Sequence, residues 1–322
     1  MLNAIRIYEQ GGPEVMCWES VDLTELGSEE IRIRHTAIGL NFIDIYQRSG
    51  LYPLDLPCGL GKEAAGVVEK IGSAVKEFKK GDRVVYVGGT NAYSEVSQIA
   101  ANLVIPIPDD VNDEVAAASV LKGMTAEYLI HRIGRVQADD VILFHAAAGG
   151  TGLIACQWAK ALGCTVIGTV SSPAKESLAR DNGCDFVINY EQENFLDQVM
   201  EITNGKGVRL VYDSVGYDTF EGTIGCLSTR GLFVSFGQSS GPLPPVDLRV
   251  FNPKSLFYTR PTLFSYIATR AELLGSSQAL FGALGSGKVK ISINQRYPLS
   301  EVAQAHADLE GRRTTGSTVL IP

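Results

Sequence analysis

The sequence has no Cys-x-x-Cys pair, no polybasic run and no apolar stretch approaching the ~18 residues of a membrane span. Each absence closes a class. Cys17, Cys58, Cys156, Cys164, Cys184 and Cys226 stand singly, which reads as reduced, buried small residues. The 28 basic and 36 acidic side chains are dispersed and leave a net charge of −8, so the phosphate-neutralising footprint of a nucleic-acid binder is missing. The start, Met1-Leu2-Asn3-Ala4-Ile5-Arg6, lacks the basic region and apolar stretch of a signal peptide. The expected location is the cytoplasm, with no membrane or nucleic-acid partner. Histidine is scarce too: His35, His131, His145 and His306 lie far apart with no ligand spacing, and are expected to be structural or on the surface.

What is present is enough chain for two domains, with 322 residues of which 45% are hydrophobic. The first third is β-rich. Residues 31–37 alternate apolar and polar side chains, and 66–72 and 81–86 are short β-branched runs punctuated by glycine. These predict closely spaced strands in a barrel-like unit. From 112 to 135 the spacing becomes helical. A regular alternation then begins, with strands predicted at 141–145, 165–170, 186–189, 210–213 and 231–236, and helices at 153–162, 174–182, 194–203 and 217–227. Such alternation implies right-handed crossovers and a parallel doubly wound sheet. After Gly241-Pro242-Leu243-Pro244-Pro245 come a helix at 270–286, a strand near 297, a helix at 300–310 and a strand at 317–321. That isolated last strand predicts a return to the first domain.

The loop His145-Ala146-Ala147-Ala148-Gly149-Gly150-Thr151-Gly152 sits between a strand and a helix. Backbone N–H groups and the positive end of a helix dipole converge at such a point and suit a pyrophosphate. Ala147, Gly149 and Gly152 fall at the three glycine places of the dinucleotide fingerprint, with alanine replacing the first. An NAD site places an acid at the end of the next strand. Here Thr169-Val170-Ser171-Ser172-Pro173-Ala174-Lys175 has none; hydroxyls and a lysine suit the 2′-phosphate of NADP(H), although Ser171 and Ser172 could equally cap the following helix.

These residues resemble the medium-chain dehydrogenase/reductase superfamily, and within it the zinc-independent quinone oxidoreductase (zeta-crystallin-like) branch, the bacterial NADPH:quinone reductases most strongly. The likeness is carried by 140–160, by Gly11-Gly12-Pro13-Glu14-Val15, by 39–44 and 48–53, and by Tyr212-Asp213-Ser214-Val215-Gly216. The resemblance implies a GroES-like catalytic domain from both chain ends (1–124 and 267–322) around a Rossmann NADP(H)-binding domain (125–266). It also implies a homodimer joined through sheet edges near 233–236 and 262–266. Zinc-dependent relatives hold the metal with Cys, His and Cys or Asp. Asn41, Lys62 and Leu121 stand at those places here, and no soft ligand survives.

Without a metal to polarise an alcohol or aldehyde oxygen, the resemblance implies hydride transfer from NADPH to a small-molecule quinone, promoted by proximity and orientation. The alternatives are a zinc-free enone or alkenal reductase, or an NADPH-binding protein with an RNA-binding or structural role. Carried over by motif, Asn41, Tyr46 and Tyr52 are the candidate catalytic residues. Asn41 and Thr125 are expected at the nicotinamide end, and Gly149, Gly150 and Thr151 at the pyrophosphate. Ser171, Ser172, Lys175 and Tyr190 are expected at the 2′-phosphate, and Ser214 at the ribose. Phe236, Gly237 and Gln238, with Phe264 and Ser265, are expected along the nicotinamide half, and Arg312 or Arg313 reaches in from the C-terminal helix. Asp44 is expected to be an ionised, loop-stabilising carboxylate, since an unperturbed carboxyl is ionised at neutral pH.

Overall fold

The computed structural model describes residues 2–322 and divides into two compact units. The first runs to Lys122 and adds Ile267–Phe281 and Ile291–Pro322; the second is Gly123–Tyr266 with Gly282–Lys290. Sequence had placed all of 267–322 in the first unit. Gly282–Lys290 groups with the second instead, where the Gln157 side chain donates to Lys290 O at 3.0 Å and accepts from Lys290 N at 2.9 Å.

The first unit is organised around one long strand. Its strands are β1 (Leu2–Ile7), β2 (Cys17–Val21), β3 (Glu30–Gly39), β4 (Cys58–Gly59), β5 (Glu63–Ile71), β6 (Arg83–Val87), β7 (Val96–Ala100) and β8 (Val104–Pro106), with β15 (Ile293–Pro298) and β16 (Ser317–Ile321) from the chain's far end. The larger sheet runs β15-β16-β3-β5-β6-β8, with β7 also on β3; the smaller runs β2-β1-β4. Alternation along β3 buries Ile31 and Ile33 in a core shared with Val84, Tyr86, Val302 and Leu320. Val319 and Leu320 of β16 pair with Gly39 and Ile38, so the last strand does return to the first domain. The β3–β5 register shifts between His35 and Ala37, and Gly66 lies there because a Cβ would strike the Arg34 carbonyl. Cys17 is exposed and Cys58 half-buried; the other four thiols are buried, which corrects the expectation for those two.

The second unit is a six-stranded parallel sheet. Its strands are β9 (Val141–Phe144), β10 (Thr165–Val170), β11 (Phe186–Asn189), β12 (Val208–Asp213), β13 (Leu227–Ser235) and β14 (Phe257–Thr259), in the order β11-β10-β9-β12-β13-β14. The order reverses at β9, which creates a crevice at the carboxyl ends of β9 and β12. Helices α3 (Gly150–Ala161), α4 (Pro173–Asp181), α5 (Phe195–Ile202) and α6 (Phe220–Cys226) supply the crossovers, after α1 (Phe42–Arg48) and α2 (Asp113–Glu127) earlier in the chain. Later come α7 (Leu263–Tyr266), α8 (Arg270–Gly285) and α9 (Val302–Glu310). β13 is an internal strand, bonded to β12 and β14. The edges of the sheet are therefore β11 and β14, and the expectation of an edge near 233–236 is corrected.

The glycine loop shows why its residues are small. Ala146, and not Ala147, takes the left-handed turn, with φ 54°. Its carbonyl accepts Gly149 N at 3.0 Å, and α3 then starts at Gly150, three residues earlier than the periodicity suggested. A Cβ on Gly152 would lie 2.5 Å from Ala146 O and 2.7 Å from Ala147 O, both backbone atoms. Gly152→Ala is therefore expected to lower stability by about 1–3 kcal/mol. Denaturant titration checks this, and an unchanged midpoint would contradict the packing described.

Candidate active site

In the first unit the candidate residues gather around a carboxylate that sequence did not single out. Glu63 opens β5 and is fully buried. Asn41 Nδ2 donates to its Oε1 at 2.8 Å, Lys122 Nζ reaches the same oxygen at 3.2 Å, and Leu121 N donates to Oε2 at 2.7 Å. Gly39 precedes this knot because a Cβ there would meet both the Glu63 carboxylate and Ala117 O. Asn41 also begins α1: it is extended, with φ −137°, and its N–H donates to Asp44 Oδ2 at 2.9 Å. One turn along, Tyr46 is buried, and its ring stands edge-on to Tyr52 at 5.1 Å. Tyr52 N is anchored on Tyr46 O at 2.9 Å. The three candidate catalytic residues are thus held on one short helix and the turn after it.

Behind Asp44 runs a buried polar chain. Tyr93 Oη donates to Asp44 Oδ2 at 2.8 Å and lies 3.0 Å from His306 Nε2; Arg48 lies 3.0 Å from His306 Nδ1. Arg48 also reaches Glu310 at 2.7 Å and Gly11 O at 3.1 Å, which explains the Gly11-Gly12-Pro13 segment as a loop docked on α1. Glu63, Tyr93 and Arg48 were missed in the sequence, and His306 was read only as structural or on the surface. Lys122 was read only as a neighbour of Thr125. Their partners are 22 to 262 residues away, and no local spacing reports such contacts.

In the second unit the candidates collect at the carboxyl edge of the parallel sheet. Gly149, Gly150 and Thr151 form the start of α3, which no side chain caps. Its first N–H groups are therefore open to an anion. His145 is buried behind this loop, 2.9 Å from Thr169 Oγ1 and 3.0 Å from Thr223 Oγ1, a packing role as expected. At the end of β10, Lys175 Nζ donates to Ser171 Oγ at 3.2 Å, and Tyr190 N is held by Val170 O at 3.1 Å. Ser172 precedes α4 without a side-chain capping bond. Glu176, the acid in that turn, is engaged by Asn189 Nδ2 at 3.0 Å. Asp213 collects Val215 N, Gly216 N and Thr219 Oγ1 at 2.7–3.2 Å, shaping the loop that carries Ser214. Gly237 lies so close to Ser214 that a Cβ would meet its carbonyl at 2.9 Å. Phe236 stands 5.7 Å from Phe144. Thr125 is buried on α2, and Tyr128, one turn on, stacks at 4.5 Å on Tyr266; this places Phe264 and Ser265 of α7 with that helix end. Arg312 is exposed in the first unit, with φ 57°.

With this geometry in place, the chain can be set beside known proteins. An alcohol dehydrogenase GroES-like domain matches residues 27–139, and a zinc-binding dehydrogenase domain matches 150–280. A quinone oxidoreductase of Pseudomonas aeruginosa is 51% identical over the whole of both chains. The structure of the Escherichia coli quinone oxidoreductase complexed with NADPH superposes with a TM-score of 0.97, at 49% identity, over 99% of this chain and 100% of that one. The Pseudomonas syringae quinone oxidoreductase gives 0.98 at 46% over both entire chains. The chain belongs to the quinone oxidoreductase branch of the medium-chain dehydrogenase/reductase superfamily. It has that branch's fold, a GroES-like domain with a Rossmann sheet, and its cofactor is a nicotinamide dinucleotide.

In this quinone oxidoreductase the three places given to metal ligands elsewhere in the superfamily have other work. Asn41 is taken up by Glu63, Lys62 Nζ donates to Gly89 O at 2.5 Å, and Leu121 contributes only its N–H. An ammonium and an aliphatic side chain supply no lone pair to zinc at neutral pH.

Burial reshapes the ionisations. Asp44 is lifted to about 7 by desolvation and the nearby Glu63, against the Tyr93 and Asn41 hydrogen bonds and Lys62, which pull it down. The expectation of an ordinary ionised carboxylate is corrected here. His306 is driven down to about 3 by burial and the Arg48 charge, and burial lowers Lys62. Because the folded protein holds the Asp44 proton more tightly than the unfolded chain does, this group's contribution to stability is complete below pH ~4. It is lost by roughly 4 kcal/mol as pH rises to about 7. Denaturant unfolding of Asp44→Asn should lack that decline between pH 4 and 7; an equally steep decline in the variant would contradict the assignment.

Proposed function

We propose that the chain is an NADPH:quinone oxidoreductase that transfers hydride without zinc. The observation that carries the preference for NADPH is the pairing of Ser171 with Lys175 at the end of β10, beside Tyr190, with Glu176 turned to Asn189. A 2′-phosphate meets a cation and hydroxyls there. Gly150 and Thr151 would hold the pyrophosphate on open N–H groups, with Gly149, whose own N–H is bonded to Ala146 O, letting it approach closely, and Ser172 would join the 2′-phosphate end. Ser214 would meet the ribose, and Thr125, Phe236, Gly237, Phe264 and Ser265 the nicotinamide half; Asn41 and Arg312 are further proposed cofactor contacts. The bound cofactor supplies the hydride. The protein's part at the acceptor is orientation and hydrogen bonding, with the Asn41 amide and the Tyr46 and Tyr52 phenols as donors to an oxygen that gains charge. Three relatives at 50–51% identity are named quinone oxidoreductases, which does not favour the enone-reductase or RNA-binding alternatives.

We further infer a homodimer formed on the β14 edge, where Phe257 and Tyr258 are 62% and 40% exposed and leave apolar surface beside unpaired strand edge. No helix among the described residues is long and apolar enough to cross a membrane, and we place the enzyme in the cytoplasm. Sedimentation should give twice the chain mass; a monomer at all concentrations would remove the dimer. NADPH oxidation with 1,4-benzoquinone or 9,10-phenanthrenequinone tests the activity, and no turnover with any quinone would sink it. Lys175→Ala should raise KM for NADPH about 10–100-fold while leaving KM for NADH nearly unchanged; equal effects on both would remove the 2′-phosphate role.

A further inference from the structure

One buried group remains unexplained by cofactor or acceptor binding. Asp44 is fully buried, and its Oδ1 has no hydrogen-bond partner among the described residues, although Oδ2 has two. The chain behind it runs in one direction. A guanidinium only donates, so Arg48 makes His306 Nδ1 an acceptor and leaves the ring hydrogen on Nε2. His306 Nε2–H then donates to Tyr93 Oη, and the Tyr93 hydroxyl hydrogen points to Asp44 Oδ2. Oδ2 is thereby committed to two donors, Tyr93 O–H and Asn41 N–H. Any proton that Asp44 binds must sit on Oδ1.

This has a consequence for Asn41. A carboxylate accepts a hydrogen bond more strongly than a neutral acid, so the charge state of Asp44 sets how firmly the Asn41 backbone is held. Asn41 is held by Glu63 through its amide and by Asp44, whose carboxylate takes the Asn41 N–H and whose own N–H is donated back to Asn41 at 3.1 Å. We propose that Asp44 is a positioning residue for quinone reduction: its ionisation, polarised by the Arg48–His306–Tyr93 chain, fixes Asn41 in its working placement. The proposal rests on the reading of Asn41 as a residue of the acceptor and cofactor site.

The other charged or titratable groups facing Asp44 are Glu63 and Lys62 at the start of β5, Tyr93, and Arg48 and His306 behind it. His306 is far below neutrality and Tyr93 well above it. Asp44 and Lys62 are therefore the two groups to separate by experiment.

The experiment is kcat for 1,4-benzoquinone at saturating NADPH, measured from about pH 5.5 to 8.5 in wild type, Asp44→Asn, Tyr93→Phe and Lys62→Met. Wild-type kcat should rise about three- to tenfold through neutrality, the ratio expected from weakening one charge-assisted bond. Asp44→Asn keeps an acceptor oxygen for Asn41 and Tyr93 and cannot ionise, so its profile should be flat at the low-pH level. Tyr93→Phe removes a donor that favours the carboxylate, so the rise should move to higher pH. A structural role for either residue would lower kcat equally at all pH values. A rise that persists in Asp44→Asn, or that vanishes only in Lys62→Met, overturns the proposal.

The affinity for NADPH, wild type relative to Asp44→Asn over the same range, is a second readout in which titration of the cofactor's own phosphate cancels. If no variant turns over quinone, the acceptor reading fails while a pH-dependent affinity ratio still upholds the role of Asp44. A ratio independent of pH then overturns it.

Discussion

A carboxylate with no access to water must be matched by donors, and Glu63 is matched from three directions. Its two oxygens take the Asn41 amide at the start of α1, and the Leu121 N–H and Lys122 ammonium of α2. Removing the Lys122 ammonium would leave charge stranded in a low-dielectric interior, which costs several kcal/mol. The knot therefore determines more than its own geometry. It sets the entry angle of α1, and through α1 the places of Asp44, Tyr46 and Arg48. Gly39 is confined to glycine by the space the knot occupies. A charge that is expensive to bury has become the reference point from which α1 and its side chains are positioned.

The second unit works by a different economy, that of the backbone. The start of α3 presents N–H groups that no side chain caps. Side chains such as His145 and Asp213 are spent on bracing turns. Ala146 holds a left-handed conformation that glycine adopts more readily, and it keeps that conformation because its carbonyl is fixed by Gly149 N and its neighbour Ala147 N by Thr169 O.

The parts of this architecture that sequence revealed are those with a local signature. The strand at 186–189 and the last strand at 317–321 agree with β11 and β16 to the residue, since each is a short apolar run between turn residues. The start of α3 was missed because Gly150, Thr151 and Gly152 are poor helix formers and only the approach of the loop's carbonyls makes them helical. The charged cluster was invisible for another reason. Arg48, Tyr93 and the His306–Glu310 turn of α9 come from three remote stretches, and each alone looks like a surface feature. Asp44 was recognised as a loop-stabilising group, but its protonation depends on burial, which pattern reading does not supply.

The placement of β16 has a bearing on how the chain is assembled during synthesis. It lies between β15 and β3, with Val319 and Leu320 fully buried, yet it is encoded after the entire nucleotide unit. The strands β9 to β14 can complete their sheet from successive crossovers while β3 still presents an open flank. The unit that begins the chain is thus the one whose sheet is finished last. A nascent chain stalled before Ser317 would carry a parallel sheet with all its strands and a first unit whose larger sheet lacks an internal strand, and that unpaired flank would be the point at which quality control, or another chain, finds it.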